Sequence, residues 1–493
     1  MTTKTTSNIN KNAPVVVIGA GPGGYPCAIR LAQQGKQVIL VDKHALGGTC
    51  LNWGCIPSKA LIHASHQYHQ LQHASQTLNP LGIRLASPPT LDWSQTLAWK
   101  DGLIQQLQGG IAHLLKKHKV TFIQGMATLH MNNQVHVQHN DGSEQWIAAS
   151  HVVLATGAEA MTLPAWPCDG HRVFNAQQWL NATDAPTRKR WLVVGAGVIG
   201  LELGNILLNL GCDVTWVDAS DTLLPQQDSF MVQELRKQLE ALGGRFHLGV
   251  FASPEALPVA GEDTPINVTF TAASKEATPT PLPMPLAVDA VLVATGRTAN
   301  LNAVGLPLLQ PRLSDNQRTL WTDATGQTSL PNVYAVGDLT EGSQLAHRAT
   351  YQAGIVADAI AGIPRPWDAV AVPSVIYTAP ELASVGFTLA EAEARGLAVH
   401  QRRFSLNHLG RSYTQLANKQ PAFVQLVALK ETNVLVGAQL LGTHVSELLG
   451  ELTLAIESGL SAHDVALTLH AHPSLYEGVW EAAEGLLGHA LHG

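Results

Sequence analysis

Cys50 and Cys55 are the residues of this 493-residue chain whose types and spacing point most directly to redox chemistry. Four residues separate them, and glycines flank them within the stretch GGTCLNWGCIPSK, residues 47 to 59. Two nearby thiols can cycle between a dithiol and a disulfide and so accept or release two electrons. Of the five cysteines, only these two are close enough in sequence to indicate a local pair.

The other three cysteines carry no comparable signal. Cys27 and Cys212 lie in apolar patterns typical of small buried residues, and Cys168 lies in a connection that contains Pro and Gly. An odd, sparse set of cysteines does not form a structural disulfide framework. A zinc site would require a second cysteine pair, so we expect no metal.

A glycine-rich turn before the cysteines indicates a first dinucleotide site. A strand, the glycine turn, a helix and a strand that ends in an acid follow one another, over Pro14–Ile18, Gly19–Gly24, Tyr25–Gln34 and Gln37–Asp42. In such a turn the three glycines permit the tight bend, the approach of a pyrophosphate and close helix packing; here they are Gly19, Gly21 and Gly24. Asp42 follows Gly19 by 23 residues, near the spacing expected of an acid that binds a ribose hydroxyl.

The same unit recurs in the middle of the chain. Its strand, turn, helix and second strand occupy Trp191–Val194, Gly195–Gly200, the stretch up to Leu210, and Asp213–Asp218, with glycines at Gly195, Gly197 and Gly200. A 2′-phosphate would favour an Arg near the acid, but residues 219–221 contain no Lys or Arg. The second unit is therefore predicted to bind NAD rather than NADP.

A further repeat links the two units. Ala-Thr-Gly follows an apolar strand twice, at Thr156 and Gly157 after His151–Leu154 and at Gly296 after Ala290–Val293. This repeat predicts that the chain returns twice, in equivalent ways, to one sheet. It also predicts two dinucleotide folds, one of which is inserted in the other. Thiols beside a two-electron cofactor then indicate electron transfer between a dithiol, a flavin and a nicotinamide.

Composition excludes several classes of partner. A net charge of -7 gives no basic footprint for nucleic acid, and no apolar run reaches the roughly 18 residues needed to span a membrane. Residues 1–11 lack the apolar segment of a secretory signal and the Arg of a transit peptide. The sequence is therefore predicted to be cytoplasmic.

The remaining pattern predicts elements of the two folds and a separate C-terminal α+β domain after a linker over Gly362–Trp367. Helices are predicted over Ala60–Leu81, Leu97–His118, Leu345–Ile360, Ser446–Glu457 and Ala462–Leu469. Strands are predicted over Val120–Ile123, Asn332–Val336, Ala422–Leu429 and Val434–Leu441, and a hairpin with an exposed loop over Val259–Pro285. His63, His66, His69 and His73 share a similar face of the first helix, which we interpret as a solvated or partner-facing surface rather than a metal site.

The motifs together resemble those of the pyridine nucleotide–disulfide oxidoreductases, and among them the dihydrolipoamide dehydrogenases. The resemblance runs from about Val15 to the C-terminus and includes GGTCLNWGCIPSKAL, both fingerprints, AVGD, LAHRA and HAHPSLYE. It implies an α/β fold with two Rossmann-like domains, the NAD domain inserted in the FAD domain, plus a C-terminal α+β dimerisation domain. The implied segments are 1–157 (FAD domain, first part), 158–288 (NAD domain), 289–364 (FAD and central domain) and 365–493 (interface domain). FAD, NAD and a homodimer follow from the same resemblance.

Site residues are carried over from this resemblance. Cys50 resembles the thiol that exchanges with the substrate and Cys55 the thiol beside the flavin, the two forming the redox-active disulfide. His472 resembles a base supplied by the other subunit and oriented by Glu477, while Lys59 and Glu202 resemble an ion pair at the reactive edge of the flavin. The residues implied for FAD are Gly19, Gly21, Gly24, Asp42, Lys59, Thr156, Gly157, Asp338, Leu345, Ala346 and His347, and those implied for NAD are Gly195, Gly197, Gly200, Asp218 and Gly296.

The implied activity is oxidation of protein-bound dihydrolipoamide to lipoamide, with electrons passing through Cys50–Cys55 and FAD to NAD+. The implied partner is a lipoyl-carrying protein of a 2-oxoacid dehydrogenase complex, of the glycine cleavage system or of another lipoate-dependent pathway. The alternative is a reductase of another disulfide that uses NAD(P)H, similar to glutathione reductase. A non-catalytic flavoprotein subunit is disfavoured, because both thiols, His472 and Glu477 are retained.

The chain departs from the family pattern at five positions. Asp42 and Asp218 replace the more usual Glu, Trp53 replaces a small apolar residue, Ser474 replaces Thr, and Gln352 replaces an acid. None of these changes removes a group that the chemistry requires.

Overall fold

The computed structural model describes residues 13–76, 81–183, 188–257, 264–274, 284–363 and 365–492. The chain forms two compact units. The first contains the described residues up to Ala60, with Ser94–Met161 and Gly296–Asp368, and the second contains Leu61–Trp93, Thr162–Thr295 and the residues from Ala369 onward. This division is coarser than the four segments predicted from the sequence, whose boundaries stay predictions.

The described residues contain the following elements, numbered in chain order. The helices are α1 (Gly24–Gln33), α2 (Gly48–Trp53), α3 (Cys55–Gln76), α4 (Trp93–Lys117), α5 (Ala176–Trp179), α6 (Val198–Asn209), α7 (Ser229–Ala241), α8 (Leu306–Leu309), α9 (Ala346–Ala361), α10 (Leu389–Ala394), α11 (Gly410–Thr414), α12 (Val445–Glu457), α13 (Ala462–Leu467) and α14 (Glu477–Leu487). The strands up to residue 194 are β1 (Val15–Ile18), β2 (Val38–Asp42), β3 (Thr121–His130), β4 (Gln134–His139), β5 (Glu144–Ala148), β6 (His151–Leu154), β7 (Ala158–Ala160), β8 (Val173–Asn175) and β9 (Arg190–Val194). The later strands are β10 (Asp213–Asp218), β11 (Arg245–Leu248), β12 (Val250–Pro254), β13 (Ile266–Ala272), β14 (Leu286–Val288), β15 (Ala290–Val293), β16 (Arg297–Ala299), β17 (Val333–Ala335), β18 (Ser374–Ile376), β19 (Glu381–Gly386), β20 (Val399–Ser405), β21 (Phe423–Leu429) and β22 (Leu435–Gly442).

The first unit is built on a seven-stranded sheet in the order β17-β6-β1-β2-β3-β4-β5. The strands from β17 to β3 run parallel, whereas β4 and β5 add antiparallel neighbours. All four residues of β1 are buried, which explains their unbroken apolar sequence, since parallel strands are covered on both faces. Helices α1 and α9 share one core with this sheet.

The second unit contains a second parallel sheet in the order β11-β10-β9-β15-β8. Helix α6 follows β9, and it is apolar and buried along most of its length because it packs into the core of the unit. Strands β1 and β9 therefore begin two copies of the same α/β arrangement, as the two fingerprints predict.

The two Ala-Thr-Gly segments follow strands at equivalent places in different sheets. β6 pairs with β1 in the first sheet, and β15 pairs with β9 in the second. The prediction that both strands return to one sheet is therefore wrong, because each return strand pairs with the first strand of its own fold.

The C-terminal part of the second unit is an α+β arrangement, as predicted. Its five-stranded antiparallel sheet has the order β18-β19-β22-β21-β20. Buried residues of β21 and β22 share a core with α12, α13 and α14. This core supports the segment from His470 to Glu477.

Two helices begin earlier than the sequence predicts. α3 begins at Cys55 rather than Ala60, and α4 begins at Trp93 rather than Leu97. Part of the predicted hairpin over Val259–Pro285 lies outside the described residues. The described part contains β13, which pairs antiparallel with β12 before this range and with β14 after it. No helix in the described ranges combines the length and the apolar character needed to cross a bilayer.

Candidate active site

The two cysteines lie on either side of a break between helices α2 and α3. Gly54 forms this break with φ -138° and ψ -108°, and Cys55 is the first residue of α3. Both thiols are half-buried, and neither is part of a disulfide. The Cys50 thiol forms a side-chain hydrogen bond with Cys55, so the pair predicted from spacing is in direct contact.

Helix α2 packs directly against the first glycine turn. The Gly47 N–H donates to the carbonyl oxygen of Ala20 at 3.0 Å. Gly48 has φ +59°, and a Cβ added there would lie 2.5 Å from the Cα of Gly21. Only a residue without a side chain allows this approach, which places the cysteine-bearing helix on the turn predicted to hold a pyrophosphate.

The surroundings of Cys50 favour its protonated form. The hydrogen bond with Cys55 is the main cause that raises the pKa of Cys50, followed by burial and by the charge of Cys55. The positive charge of Lys59 acts in the opposite direction. A thiol in this state needs a proton acceptor to exchange with a substrate near neutral pH.

Asn52, between the two cysteines, is a positioning residue that sequence reasoning missed. Its buried amide donates to the carbonyl oxygens of Ala45 and Leu46 at 3.3 and 3.1 Å and accepts from Gln108 Nε2 at 2.7 Å. These bonds tie α2 to the preceding loop and to α4. A polar residue between two candidate redox cysteines was the available signal, but its partner lies 56 positions away.

The first fingerprint has the geometry of a dinucleotide turn. Gly19 has φ +105°, and a Cβ there would lie 2.2 Å from the carbonyl oxygen of Ala155. Asp42 accepts hydrogen bonds from the backbone N–H of Ala20 at 2.6 Å and of His44 at 2.8 Å. Helix α1 begins after Gly23 without a side-chain cap, and the N–H groups of Gly24 and Tyr25 donate to the carbonyl oxygen of Gly21 at 2.9 and 3.1 Å.

The second fingerprint repeats this geometry. Gly195 has φ +102°, and a Cβ there would lie 2.5 Å from the carbonyl oxygen of Ala294. Asp218 accepts from the backbone N–H of Ala196 at 2.7 Å and of Ser220 at 2.8 Å. A Cβ on Gly197 would meet nothing within 4 Å, so there is open space above the turn.

Each Ala-Thr-Gly segment contains one buried polar atom that has no hydrogen-bond partner. The hydroxyl oxygens of Thr156 and Thr295 are buried and have no hydrogen-bond partner. These residues are the threonines of the two Ala-Thr-Gly segments. An unpaired buried hydroxyl and a first glycine whose position excludes a Cβ fit a bound dinucleotide at each turn.

Asp338 lies in the same unit as the first turn. Burial raises the pKa of its carboxyl group, while the charges of Arg297 and Arg348 oppose this effect. Arg297 Nε lies 4.0 Å from Asp338 Oδ2. The substituted Gln352 accepts from the Gly337 N–H at 2.8 Å and donates to Thr340 Oγ1 at 3.1 Å, so an amide performs both functions here.

The remaining residues implied for the cofactors lie at turns and at a helix start. Gly157 and Gly296 both have positive φ, +67° and +119°. Leu345 caps α9, whose first residues are Ala346 and His347, without a side-chain hydrogen bond. Their contacts with FAD or NAD stay predictions.

His472 and Glu477 form the predicted imidazole–carboxylate pair. His472 Nδ1 lies 2.9 Å from Glu477 Oε1, and Glu477 Oε2 accepts from the Ser474 N–H at 3.0 Å. Burial acts to raise the pKa of Glu477, but the hydrogen bonds from His472 and Ser474 outweigh it and lower that pKa. The imidazole is 77% exposed, so its Nε2 side is open to a reacting group.

The predicted base and the thiols belong to different compact units, as do Lys59 and Glu202. The buried Glu202 accepts from the Tyr377 N–H at 2.9 Å, a bond that the sequence did not indicate. Its pairing with Lys59 and the supply of His472 by a second subunit stay predictions.

Two further sequence features have a local explanation. The Trp53 ring contacts the His44 ring edge to face, with centroids 4.9 Å apart, which links α2 to the loop after β2. On α3, His69 and His73 also contact each other, with centroids 4.4 Å apart. The described residues contain no group of three ligating side chains arranged to hold a metal.

Comparisons with known proteins cover almost the whole chain. Residues 13–353 match the pyridine nucleotide-disulphide oxidoreductase family, and residues 372–483 match its dimerisation domain. The dihydrolipoyl dehydrogenase of Halobacterium salinarum is 39% identical and that of Bacillus subtilis 37% identical, over 98% and 97% of both chains.

Solved structures agree with this result. LpdA from Mycobacterium tuberculosis superposes with a TM-score of 0.84 at 25% identity, over 96% of this chain and 99% of that one. The flavoprotein disulfide reductase RclA from Escherichia coli shares the fold, with a TM-score of 0.80 at 22% identity over 96% and 99% of the two chains. The two family matches and the full-length relatives thus cover the dinucleotide folds and the C-terminal α+β domain, and the chain belongs to the pyridine nucleotide-disulphide oxidoreductase family.

Proposed function

We propose that this protein is an FAD-containing dehydrogenase that oxidises protein-bound dihydrolipoamide to lipoamide and passes the electrons to NAD+. The observation that carries the proposal is the packing of the Cys50 helix on the first dinucleotide turn, through Gly48 and Gly21. This contact, made within one unit, supports the proposal that the thiol pair lies beside a two-electron cofactor. Relatives named dihydrolipoyl dehydrogenase, matched over nearly their whole length, support the substrate class.

FAD is assigned to the first turn and NAD to the second. The residues that would hold the pyrophosphate and ribose are Gly19, Gly21, Gly24, Asp42, Thr156 and Gly157 for FAD and Gly195, Gly197, Gly200, Asp218 and Gly296 for NAD. Lys59, Asp338 and residues 345–347 complete the FAD set. When bound, FAD supplies a two-electron acceptor for the dithiol, and NAD+ supplies the final hydride acceptor.

The thiol residues perform an exchange that conserves electrons and protons. One substrate thiolate attacks Cys50 in the Cys50–Cys55 disulfide, which forms a mixed disulfide and releases Cys55. The second substrate thiolate then displaces Cys50 and closes the lipoamide ring, so that the substrate loses two electrons and two protons. The electrons remain on the Cys50–Cys55 dithiol until the cofactors accept them.

His472 moves the protons of this exchange. Its Nδ1 faces Glu477, so the carboxylate holds the ring proton on Nδ1 and leaves Nε2 as a proton acceptor. Nε2 removes the proton of each substrate thiol in turn, returns one to Cys50, whose raised pKa favours the thiol form, and releases the other to solvent while Cys55 stays a thiolate.

The assembly follows in part from the comparisons. The match to a dimerisation domain supports a homodimer. We infer that His472 acts on the thiols of the other subunit and that the substrate arrives on a lipoyl protein of a 2-oxoacid dehydrogenase complex, of the glycine cleavage system or of another lipoate-dependent pathway. A cytoplasmic location stays a prediction.

A spectral titration of the purified FAD-loaded protein tests the proposal. Addition of dihydrolipoamide should produce a long-wavelength absorption band, and later addition of NAD+ should produce NADH. A Cys50→Ser variant should retain flavin but lose this response. A wild-type protein that ignores dihydrolipoamide and is reduced by NADPH instead would overturn the assignment in favour of another disulfide substrate.

A further inference from the structure

Glu481 is a buried carboxylate in α14 that holds the chain beyond this helix. The residue is only 2% exposed. Its Oε2 accepts from the backbone N–H of Leu491 at 3.1 Å and of His492 at 3.4 Å. Its Oε1 makes a short contact with His492 Nδ1. A buried carboxylate requires such partners because removing its charge from water is costly.

A chain reversal at Gly488 makes these contacts possible. Gly488 has φ +85°, the left-handed conformation that commonly ends a helix. The His489 N–H then donates to the carbonyl oxygen of Glu484 at 2.9 Å. Residues 489–492 therefore return toward Glu481 instead of extending away from α14.

The Glu481–His492 pair lies one helical turn after Glu477. Residues four positions apart on a helix are neighbours, so the two carboxylates share one face of α14. Each carboxylate contacts the Nδ1 atom of one imidazole, that of His472 at Glu477 and that of His492 at Glu481. His492 is near enough to Glu477 for its charge to act on that carboxyl group.

Charged groups other than His492 also lie near α14. On the helix and the returning chain, Glu484 faces His489, whose ring nitrogen lies 3.7 Å away. From β20, the Arg402 side chain packs against Gly485, where an added Cβ would lie 2.5 Å from Arg402 Cγ. Of these groups, only His492 contacts a carboxylate that is buried.

We propose that Glu481 and His492 form a second imidazole–carboxylate pair that balances charge beside Glu477, so that His492 is a positioning residue for the base His472. The inference rests on the proposed function of His472 as a base. The pair acts on His472 through Glu477, because His492 balances the negative charge of the buried Glu481, one helical turn from Glu477.

The variant His492→Ala isolates this effect. It leaves the Glu481 carboxylate without its imidazole, and the uncompensated negative charge stabilises the protonated form of His472. The acid limb of the pH–rate profile for reduction by dihydrolipoamide should therefore move up by about half a pH unit. The double variant Glu481→Gln/His492→Ala removes the uncompensated charge and should restore the wild-type profile, which a loosened chain end would not do.

His489→Ala is the matched control. It removes another imidazole of the returning chain, but the carboxylate that this imidazole faces, Glu484, is 19% exposed whereas Glu481 is 2% exposed, so solvent screens the Glu484 charge. Its pH–rate profile should superimpose on that of the wild type.

A titration of His472 by NMR in histidine-labelled FAD-loaded protein decides the inference independently of the substrate. A His472→Gln variant assigns the signal, and its midpoint should rise in His492→Ala and return in the double variant. Equal midpoints in wild type and His492→Ala, or a double variant that stays shifted, would overturn the inference. A wild-type protein that does not oxidise dihydrolipoamide would count against the proposed function alone.

Discussion

Cys50 and His472 have complementary acid–base properties at the scale of single residues. The hydrogen bond with Cys55 and burial raise the pKa of Cys50, so this thiol does not lose its proton unaided near neutral pH. His472 is exposed at Nε2 and oriented at Nδ1, which is the arrangement required to accept a thiol proton. The two environments support the proposal that the histidine, rather than the electrostatic field around the cysteines, accepts the proton.

Replacement of His472 by Ala should slow reduction by dihydrolipoamide by about 100- to 10,000-fold, because a positioned base contributes this much to a proton transfer. Reduction of the same variant by NADH should stay within about twofold of wild type, since hydride transfer needs no thiol base. Stopped-flow absorbance of the two half-reactions measures both rates. His463→Ala removes an exposed histidine of the same domain and serves as the control. An unchanged dithiol rate in His472→Ala would remove this residue from the mechanism.

Contacts at the residue scale were predictable where they are local in sequence. The family resemblance implied a pair of His472 and Glu477, which are five residues apart, and the structure shows this pair. The bond between Asn52 and Gln108 spans 56 positions and depends on how α4 packs, so no local pattern could indicate it. The function of Gln352 is similar, because its acceptor and donor contacts are set by the turn at Gly337.

At the scale of elements, the position of α2 depends on glycines more than on apolar packing. The buried strands were predicted from their unbroken apolar runs. The predicted start of α3, Ala60, lies five residues after the observed start at Cys55, and the missed first turn contains Pro57. Proline is acceptable there, since the first N–H groups of a helix have no partner within it.

The variants Gly48→Ala and Gly35→Ala form a matched pair that tests how closely α2 packs on the first glycine turn. Both glycines have positive φ, +59° and +81°, so alanine is strained at either site by about 1–2 kcal/mol. Only at Gly48 would the new Cβ also meet backbone, the Gly21 Cα at 2.5 Å, whereas at Gly35 nothing lies within 4 Å. Gly48→Ala should therefore lower the free energy of unfolding by at least about 1 kcal/mol more than Gly35→Ala and should weaken retention of FAD. Chemical denaturation and flavin content after gel filtration measure these effects, and equal losses in both variants would contradict close packing at Gly48.

At the scale of the whole molecule, the same dinucleotide-binding turn occurs twice, and we propose that the first copy binds FAD and the second binds NAD. In each dinucleotide fold an aspartate accepts from the N–H 22 positions earlier and from the N–H two positions later. The sequence repeat predicted this equivalence, but it did not show that each Ala-Thr-Gly strand belongs to its own sheet, because pairing between distant strands is not contained in a local motif. The Asp side chain, which is shorter than Glu, accepts hydrogen bonds directly from the backbone of the glycine turn. The presence of Asp instead of Glu therefore leaves both turns intact.

The two aspartates provide a test of which fold holds which cofactor. Replacement of either by Ala removes an acceptor of charge-assisted hydrogen bonds, each worth about 1.5–3 kcal/mol, or roughly 10- to 100-fold in affinity. Asp218→Ala should raise the KM for NAD+ by about this factor and retain a full complement of flavin. Asp42→Ala should lose flavin on gel filtration, and its KM for NAD+ should be unchanged once FAD is restored. Each variant is the control for the other, since the two carboxylates make the same contacts within their own folds. Loss of flavin from Asp218→Ala, with retention in Asp42→Ala, would reverse the assignment and place NAD, rather than FAD, beside the Cys50–Cys55 helix.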